Sequence, residues 1–446
     1  MRQLGAHRRR AALRGVAGGA TGLALAACGA PAADPAGRQR PVRQPITLTF
    51  THWDDIRLRP TTYLVWYTWV FGAFAEKHPG ATAEFQHTTG NYLEKFVVAA
   101  AGGTPIADLA ALNIGDGRAL YDKGALTEVD AFIKQVPGLA PARYLDAATA
   151  YSQVRGRRIS LPAWANSSVL WVNSRMLRKA GLDAQGADLK TWDDLVRYGQ
   201  ALTQKDAAGR TTQLGFPFAP PGLEEWGTWA YANGAELQDA EVTKVTLNTP
   251  AVAEMVRFRR DAYNRFAQNW AEDLKGDLFQ TERQAILHRN FGARSLLLGG
   301  AYVPADFEFW MLGTPQGPGG RGPGASIWVN QMGIPTGVRD PEMSFELGRT
   351  ALDLEGQSKM HQMALLEPSL KDYYQTPQFA QLSRDTPLLK VGVDLFARGK
   401  RYPFFRRFAD VSAEILPILQ DGIVGKLDVQ QSLQEAERRA NAVLAG

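Results

Sequence analysis

Residues 46–50, Ile-Thr-Leu-Thr-Phe, alternate apolar and polar side chains with the period of a half-buried strand, and they run into the cluster His52-Trp53-Asp54-Asp55. An apolar and aromatic stretch from Tyr63 to Phe74 comes next and stops before His78-Pro79-Gly80, which predicts a helix and its end. A second strand is expected from Ala83 to His87, a second helix from Tyr92 to Ala101 and a third strand from Asp108 to Leu112, closed by the loop Asn113-Ile114-Gly115-Asp116. Strands that alternate with helices predict an α/β fold with a mostly parallel sheet. In such sheets ligands sit beyond the C-terminal strand ends, which sets Trp53, Asp54, His87 and Asp116 on one rim.

The stretch from Arg157 to Asn173 reads as a short strand, a turn begun by Pro162 that exposes Trp164 and Asn166, and a β-rich strand. A helix from Ser174 to Ala180 is closed by Gly181. Thr191-Trp192-Asp193-Asp194 has the spacing of a capping box, and Thr249-Pro250 that of an N-cap followed by proline at the first helical position. Leu296-Leu297-Leu298-Gly299-Gly300 reads as a buried strand entering a loop, and Pro315 to Gly324 as a Gly/Pro-rich surface loop. From Asp428 a final helix carries the apolar stripe Val429, Leu433, Ala436, Ala440 and Val443.

Charge changes the picture at the N-terminus. The chain has 446 residues, 50 basic against 45 acidic, a formal +5 that taken alone would suggest nucleic acid or an anionic surface as partner. Residues 1–27 hold five arginines and no acid, so without them the balance is even. No lasting basic face is left for phosphates, which argues against a nucleic-acid partner. Residues 1–28 have the layout of a secretory signal: a basic start, an uncharged stretch from Gly15 to Ala27, then Cys28, the only cysteine. Leu25-Ala26-Ala27-Cys28 resembles the lipobox of bacterial lipoproteins, and that resemblance implies cleavage before Cys28 and acylation of its thiol. Arg9-Arg10 resembles a twin-arginine export signal, but alanine stands where that pattern usually has phenylalanine, so the export route stays open. Residues 29–45, rich in Pro, Ala and Gly, read as a flexible tether. From Ile46 onward the body counts 42 basic and 44 acidic residues, a balance suited to an uncharged ligand.

Catalytic patterns are scarce. The histidines His7, His52, His78, His87, His288 and His361 show no metal-ligand spacing, there is no GxSxG elbow, and GPGGRGPG at 317–324 lacks the strand and helix that a phosphate loop needs. The carboxylate pairs Asp54/Asp55 and Glu224/Glu225 leave a glycosidase as the rival reading. No catalytic residue, metal or cofactor is assigned.

The order of features resembles the extracellular solute-binding proteins of ABC importers, in particular the carbohydrate-binding group that includes maltose-binding protein. The matching stretches are ISLPAWANSSVLWVNSRMLRKAGL, KTWDDLVRYGQALT, WGTWAYANGAEL, LNTPAVAEMVRFRRDAY, SLLLGGAYV and the tail from Ile415 to Leu444. The resemblance implies two α/β lobes with discontinuous segments, a hinge, and closure around a ligand. Lobe one would hold residues 46–158 and 284–336, and lobe two 159–283 and 337–446. It implies a lipid-anchored monomer outside the cytoplasmic membrane that delivers a carbohydrate to ABC permease subunits. Sugars need aromatic platforms for their C–H faces and fixed donors and acceptors for their hydroxyls. By family position the ligand contacts fall to Trp53, Asp54, Asp116, Trp164, Asn166, Trp226, Trp229, Gly300 and Tyr302. Plainer roles stand beside these: Asp116 as a turn or N-cap residue, Trp229 in core packing at i,i+3 from Trp226, Tyr302 in the loop. Trp66, Trp69, Trp171 and Trp192 are expected in the core. The rivals to sugar binding are a secreted carbohydrate-active enzyme, or the same fold for a non-sugar solute, with an acid-lined cleft as the mark of a cationic one.

Overall fold

The computed structural model describes residues 45–239, 242–267, 277–294, 307–403 and 407–445. Cys28, the targeting segment and nearly all of the tether lie outside the described residues, as do Gly300, Tyr302 and the strand expected at Leu296 to Leu298.

Nine of the described strands form one sheet. They are β1 (Ile46–Thr51), β2 (Ala81–Phe85), β3 (Leu109–Leu112), β4 (Leu161–Asn173), β5 (Ile286–Asn290), β6 (Phe309–Leu312), β7 (Ser326–Gly333), β8 (Glu367–Pro368) and β9 (Lys400–Arg401). The main order is β6-β4-β7-β3-β1-β2, with β5 and β8 also paired to β4 and β9 to β7. The sheet is mixed where a mostly parallel one was expected. β1 runs parallel to β2 and β3, but β7 returns antiparallel between β3 and β4. A strand that arrives from some 200 residues downstream leaves no mark on the local alternation of β1 to β3.

β4 is one continuous strand where a turn was expected at Pro162. Its first half, Leu161 to Ser167, pairs with β7, and its second half, Ser168 to Asn173, pairs with β5 and β6. The register slips once: Val329 faces Ala165 and Gln331 faces Pro162, so Ala163 and Trp164 together oppose the single residue Asn330. Such a bulge bends the strand and re-aims its side chains.

Two hydrophobic cores flank this strand. The first gathers Leu48 and Phe50 of β1 with Trp66, Tyr67, Val70 and Phe74 of helix α1 (Val65–Lys77). The second gathers Trp192, Leu195 and Tyr198 with Val252, Val256, Val411, Ile415, Leu419 and Leu433. Each large apolar side chain taken fully out of water contributes about 1.5–3 kcal/mol. Trp66, Trp171 and Trp192 are buried as expected, whereas Trp69 is half-buried at the edge of the first core. Residues 337–446, expected together in lobe two, are shared between the cores. Helices α2 (Pro341–Leu352) and α3 (Leu354–Ala364) pack on α1, and the Trp66 indole donates to the Gly356 carbonyl at 3.2 Å. Helices α4 (Phe408–Val424) and α5 (Val429–Ala445) pack on each other and on the helix Pro250–Ala262 of the second core. An apolar stripe states that a helix face is covered, not by which partner. The two-lobed α/β architecture stands. Among the described residues no helix is long and apolar enough to cross a membrane.

Candidate functional site

Both local caps expected from sequence are present. The Thr191 hydroxyl accepts from the Asp194 N–H while Asp194 reaches back to Thr191, and Thr249 accepts from the Val252 N–H. They fix the second core. The site grows from the first.

β1 ends at Thr51, and the buried His52 shapes the turn that leaves it. Its Nδ1 accepts from the Asp54 N–H at 2.9 Å, and its ring stacks on Trp53 at 3.9 Å. Burial lowers the imidazole pKa to about 3, against an opposing contribution from the Asp54 backbone, so the ring is neutral and able to accept. The tight turn presents Trp53 and Asp54 at the strand's C-terminal end. Trp164, placed by the bulge in β4, lies 5.8 Å from Trp53 and 5.8 Å from Tyr63, and is nearly parallel to His52.

These residues line a cavity of about 350 Å³. Its aromatic side chains are the half-buried Trp53 and Tyr63 together with Trp328 and Trp164, which reach it from the first core. Trp164, expected to be exposed, is only 1% so. The amides of the cavity are Asn113, Asn166, Asn290 and Asn330. The Asn166 carbonyl oxygen accepts from the Ser167 and Gly292 N–H groups, which spends its acceptor and leaves the Nδ2 without a protein partner among the described residues. Asn330 is 5% exposed, and its Oδ1 has no partner among the described residues. A buried, unmet acceptor costs about 1–3 kcal/mol unless a ligand or water donates to it. Three charged side chains complete the described lining: Asp54, Arg59 and Arg289.

Behind the wall, Arg294 and Glu367 form a buried ion pair at 2.7 Å. Burial pushes the Glu367 carboxyl up to about 7 even against the Arg294 charge. Arg294 and Glu367 directly follow the lining residues Ala293 and Leu366, so the pair ties these two parts of the wall together. Breaking such a pair from one side costs about 3–5 kcal/mol.

Of the expected contacts, Trp53, Asp54, Trp164 and Asn166 meet at this cavity. Asp116 does not line it: the carboxylate accepts from the Asn113 N–H at 3.0 Å and so holds the loop that does. Burial raises this carboxyl to about 7, with the Asn113 N–H pulling the other way. Trp226 and Trp229 are 1% and 0% exposed and stand in the second core, where the Arg259 guanidinium sits 4.9 Å from the Trp229 ring. Three residues apart on the helix Leu223–Ala232, they share its inward face. His87 is not among the lining residues. Glu225 pairs with His288 at 3.5 Å, away from the cavity lining. The loop 317–324 packs on the end of the helix Leu223–Ala232, with the Gly317 N–H donating to the Ala232 carbonyl at 2.9 Å and the Gly319 N–H to Asn233 Oδ1 at 2.8 Å. Sequence reasoning missed Asn330, Trp328 and Arg289. The i,i+2 pair Trp328 and Asn330, which share one face of the strand Ser326–Gly333, was the available signal. Among the described residues no group of three His, Cys, Asp or Glu could hold a metal ion.

The chain is 20% identical over 252 residues to the "Probable ABC transporter-binding protein" of Deinococcus radiodurans, covering 54% of this chain and 58% of that relative. It thus spans less than two thirds of that protein's length. It is 23% identical over 396 residues to the sn-glycerol-3-phosphate-binding periplasmic protein UgpB of Agrobacterium fabrum, covering 83% of this chain and 86% of the relative. The crystal structure of the cyclic alpha-maltosyl-1,6-maltose binding protein from Arthrobacter globiformis superposes with a TM-score of 0.73 at 18% identity, over 90% of this chain and 99% of that one. Residues 69–386 match the model of the bacterial extracellular solute-binding proteins, and the chain belongs to that family.

Proposed function

We infer that the solute is a carbohydrate, captured outside the cytoplasmic membrane and passed to an ABC-type importer, with the two lobes closing around it along the strand they share. One observation carries the reading: the half-buried aromatic rings of Trp53 and Tyr63, backed by the buried Trp164 and Trp328, stand in one cavity with Asn166 and with Asn330, whose buried Oδ1 has no partner among the described residues. Aromatic faces take the C–H side of a sugar ring while the amides take its hydroxyls. A hydrolase of the kind considered from sequence needs two carboxyl groups about 5–10 Å apart, and the described lining holds the single carboxylate Asp54. With one acid against two arginines the lining also does not suit a cationic solute. A lipid on Cys28 would keep the protein at the membrane where the permease subunits lie.

Calorimetric titration with neutral and acidic sugars, combined with small-angle scattering, tests this. Saturable heat is expected for some sugar, with a fall in radius of gyration at saturation and about tenfold weaker binding after Asn330→Ala. Release of product from a glycoside, or no heat from any sugar, would sink the reading.

A further inference from the structure

The cavity's charges do not balance. Arg59 Nε lies 4.0 Å from Asp54 Oδ2, so those two side chains offset each other. Arg289 has no such counterpart. It sits near the end of β5 opposite Val169 of β4, beside the lining residue Asn290. Among the described residues its guanidinium has neither a carboxylate within 4.0 Å nor a hydrogen-bond partner. While the cavity is open, water solvates this charge at little cost. Once the lobes close and water leaves, an unpaired guanidinium is penalised, and a neutral ring supplies no counter-charge.

We propose that the ligand of this cavity is an anionic sugar or polyol, bearing a carboxylate or phosphate, and that Arg289 receives the anionic group. Two acceptor oxygens on one centre match the planar fork of a guanidinium, which an ammonium or a hydroxyl does not reproduce. The buried acceptor Asn330 Oδ1, on β7 in the same cavity lining, requires a donor, and a hydroxyl provides it. A free guanidinium and a separate unmet acceptor in one described lining call for more than a plain inorganic anion as the full ligand. The proposal rests on the carbohydrate reading and narrows it.

The test is a titration of the purified protein at low salt with D-glucuronate, D-glucose 6-phosphate, D-glucose, maltotriose and inorganic phosphate. At least one acidic sugar binds more tightly than its neutral counterpart by tenfold or more, and the carboxylate and phosphate arms tell which anion fits. Arg289→Ala weakens that binding by about ten- to hundredfold, and Arg289→Lys restores part of it. Raising the salt concentration weakens the wild type more than the alanine variant. Because Arg289 is exposed, both variants keep the fold, which circular dichroism checks. Neutral sugars that bind as well as acidic ones, or an Arg289→Ala protein with unchanged affinity, overturn the anionic assignment and leave the carbohydrate reading intact. Phosphate alone binding as tightly as its sugar ester overturns the polyol part. If nothing in either class binds, both readings fall.

Discussion

His52 shows how a residue outside the cavity lining decides where lining side chains stand. Its neutral ring accepts from Asp54 and stacks under Trp53, so the turn leaving β1 has one conformation. Its pKa is near 3 when folded, against 6.5 as the ordinary value. Between those values the unfolded chain binds a proton that the folded one refuses, so this stabilisation is complete above about pH 6.5 and is lost as pH falls toward 3. His52→Phe retains an aromatic ring without the titration. Denaturant midpoints measured from pH 7 down to pH 4 should fall less steeply for the variant, by an amount equal to a few kcal/mol of lost linkage at most. Equal slopes would show that the imidazole is not held neutral. Trp53 and Asp54 are legible at the end of the alternating strand β1 and do line the cavity, whereas Trp164 and Asn166 line it from within β4, where a turn was expected. Trp226 and Trp229 present the same kind of string, Glu-Glu-Trp after a Pro-Pro-Gly turn, yet face inward. Local sequence does not say which side of a helix the rest of the chain will cover.

Among the elements, those set by local chemistry were the readable ones. The caps at Thr191 and Thr249 lie within four residues of their partners, and both form as expected. β4 was misread at Pro162 because its continuity is imposed by β7 and β8, which pair with it from more than 150 residues away. The glycine-rich loop lies on the surface as expected, with Pro318, Gly319, Arg321 and Pro323 exposed, and its backbone is at the same time pressed against a helix end. A Cβ on Gly320 would lie 2.1 Å from the Ala232 carbonyl oxygen, backbone that has little room to yield. Gly320→Ala should therefore cost about 1–3 kcal/mol in chemical denaturation while leaving ligand affinity unaltered. A loss below about half a kcal/mol, the usual range for a free surface site, would mean that the loop rides clear of the helix.

For the whole molecule, the two lobes are expected from the family resemblance, whereas the strand between the two cores and the division of residues 337–446 between them come only from the structure. The +5 of the chain belongs to its first 27 residues, so it concerns address and not ligand. If Cys28 carries lipid, a fatty-acid label supplied to expressing cells marks the wild type and not Cys28→Ser, and the variant moves to the soluble fraction. A label that persists in the variant removes the anchor. The strand order has a consequence for biogenesis. β3 ends at Leu112 and β4 begins at Leu161, yet the strand that belongs between them, β7, starts only at Ser326. As the chain leaves the ribosome, two facing strand edges must wait for well over a hundred residues, unpaired and open to wrong partners. The last described wall residue of the cavity is Leu366, so the described lining is complete only after translation has passed that residue.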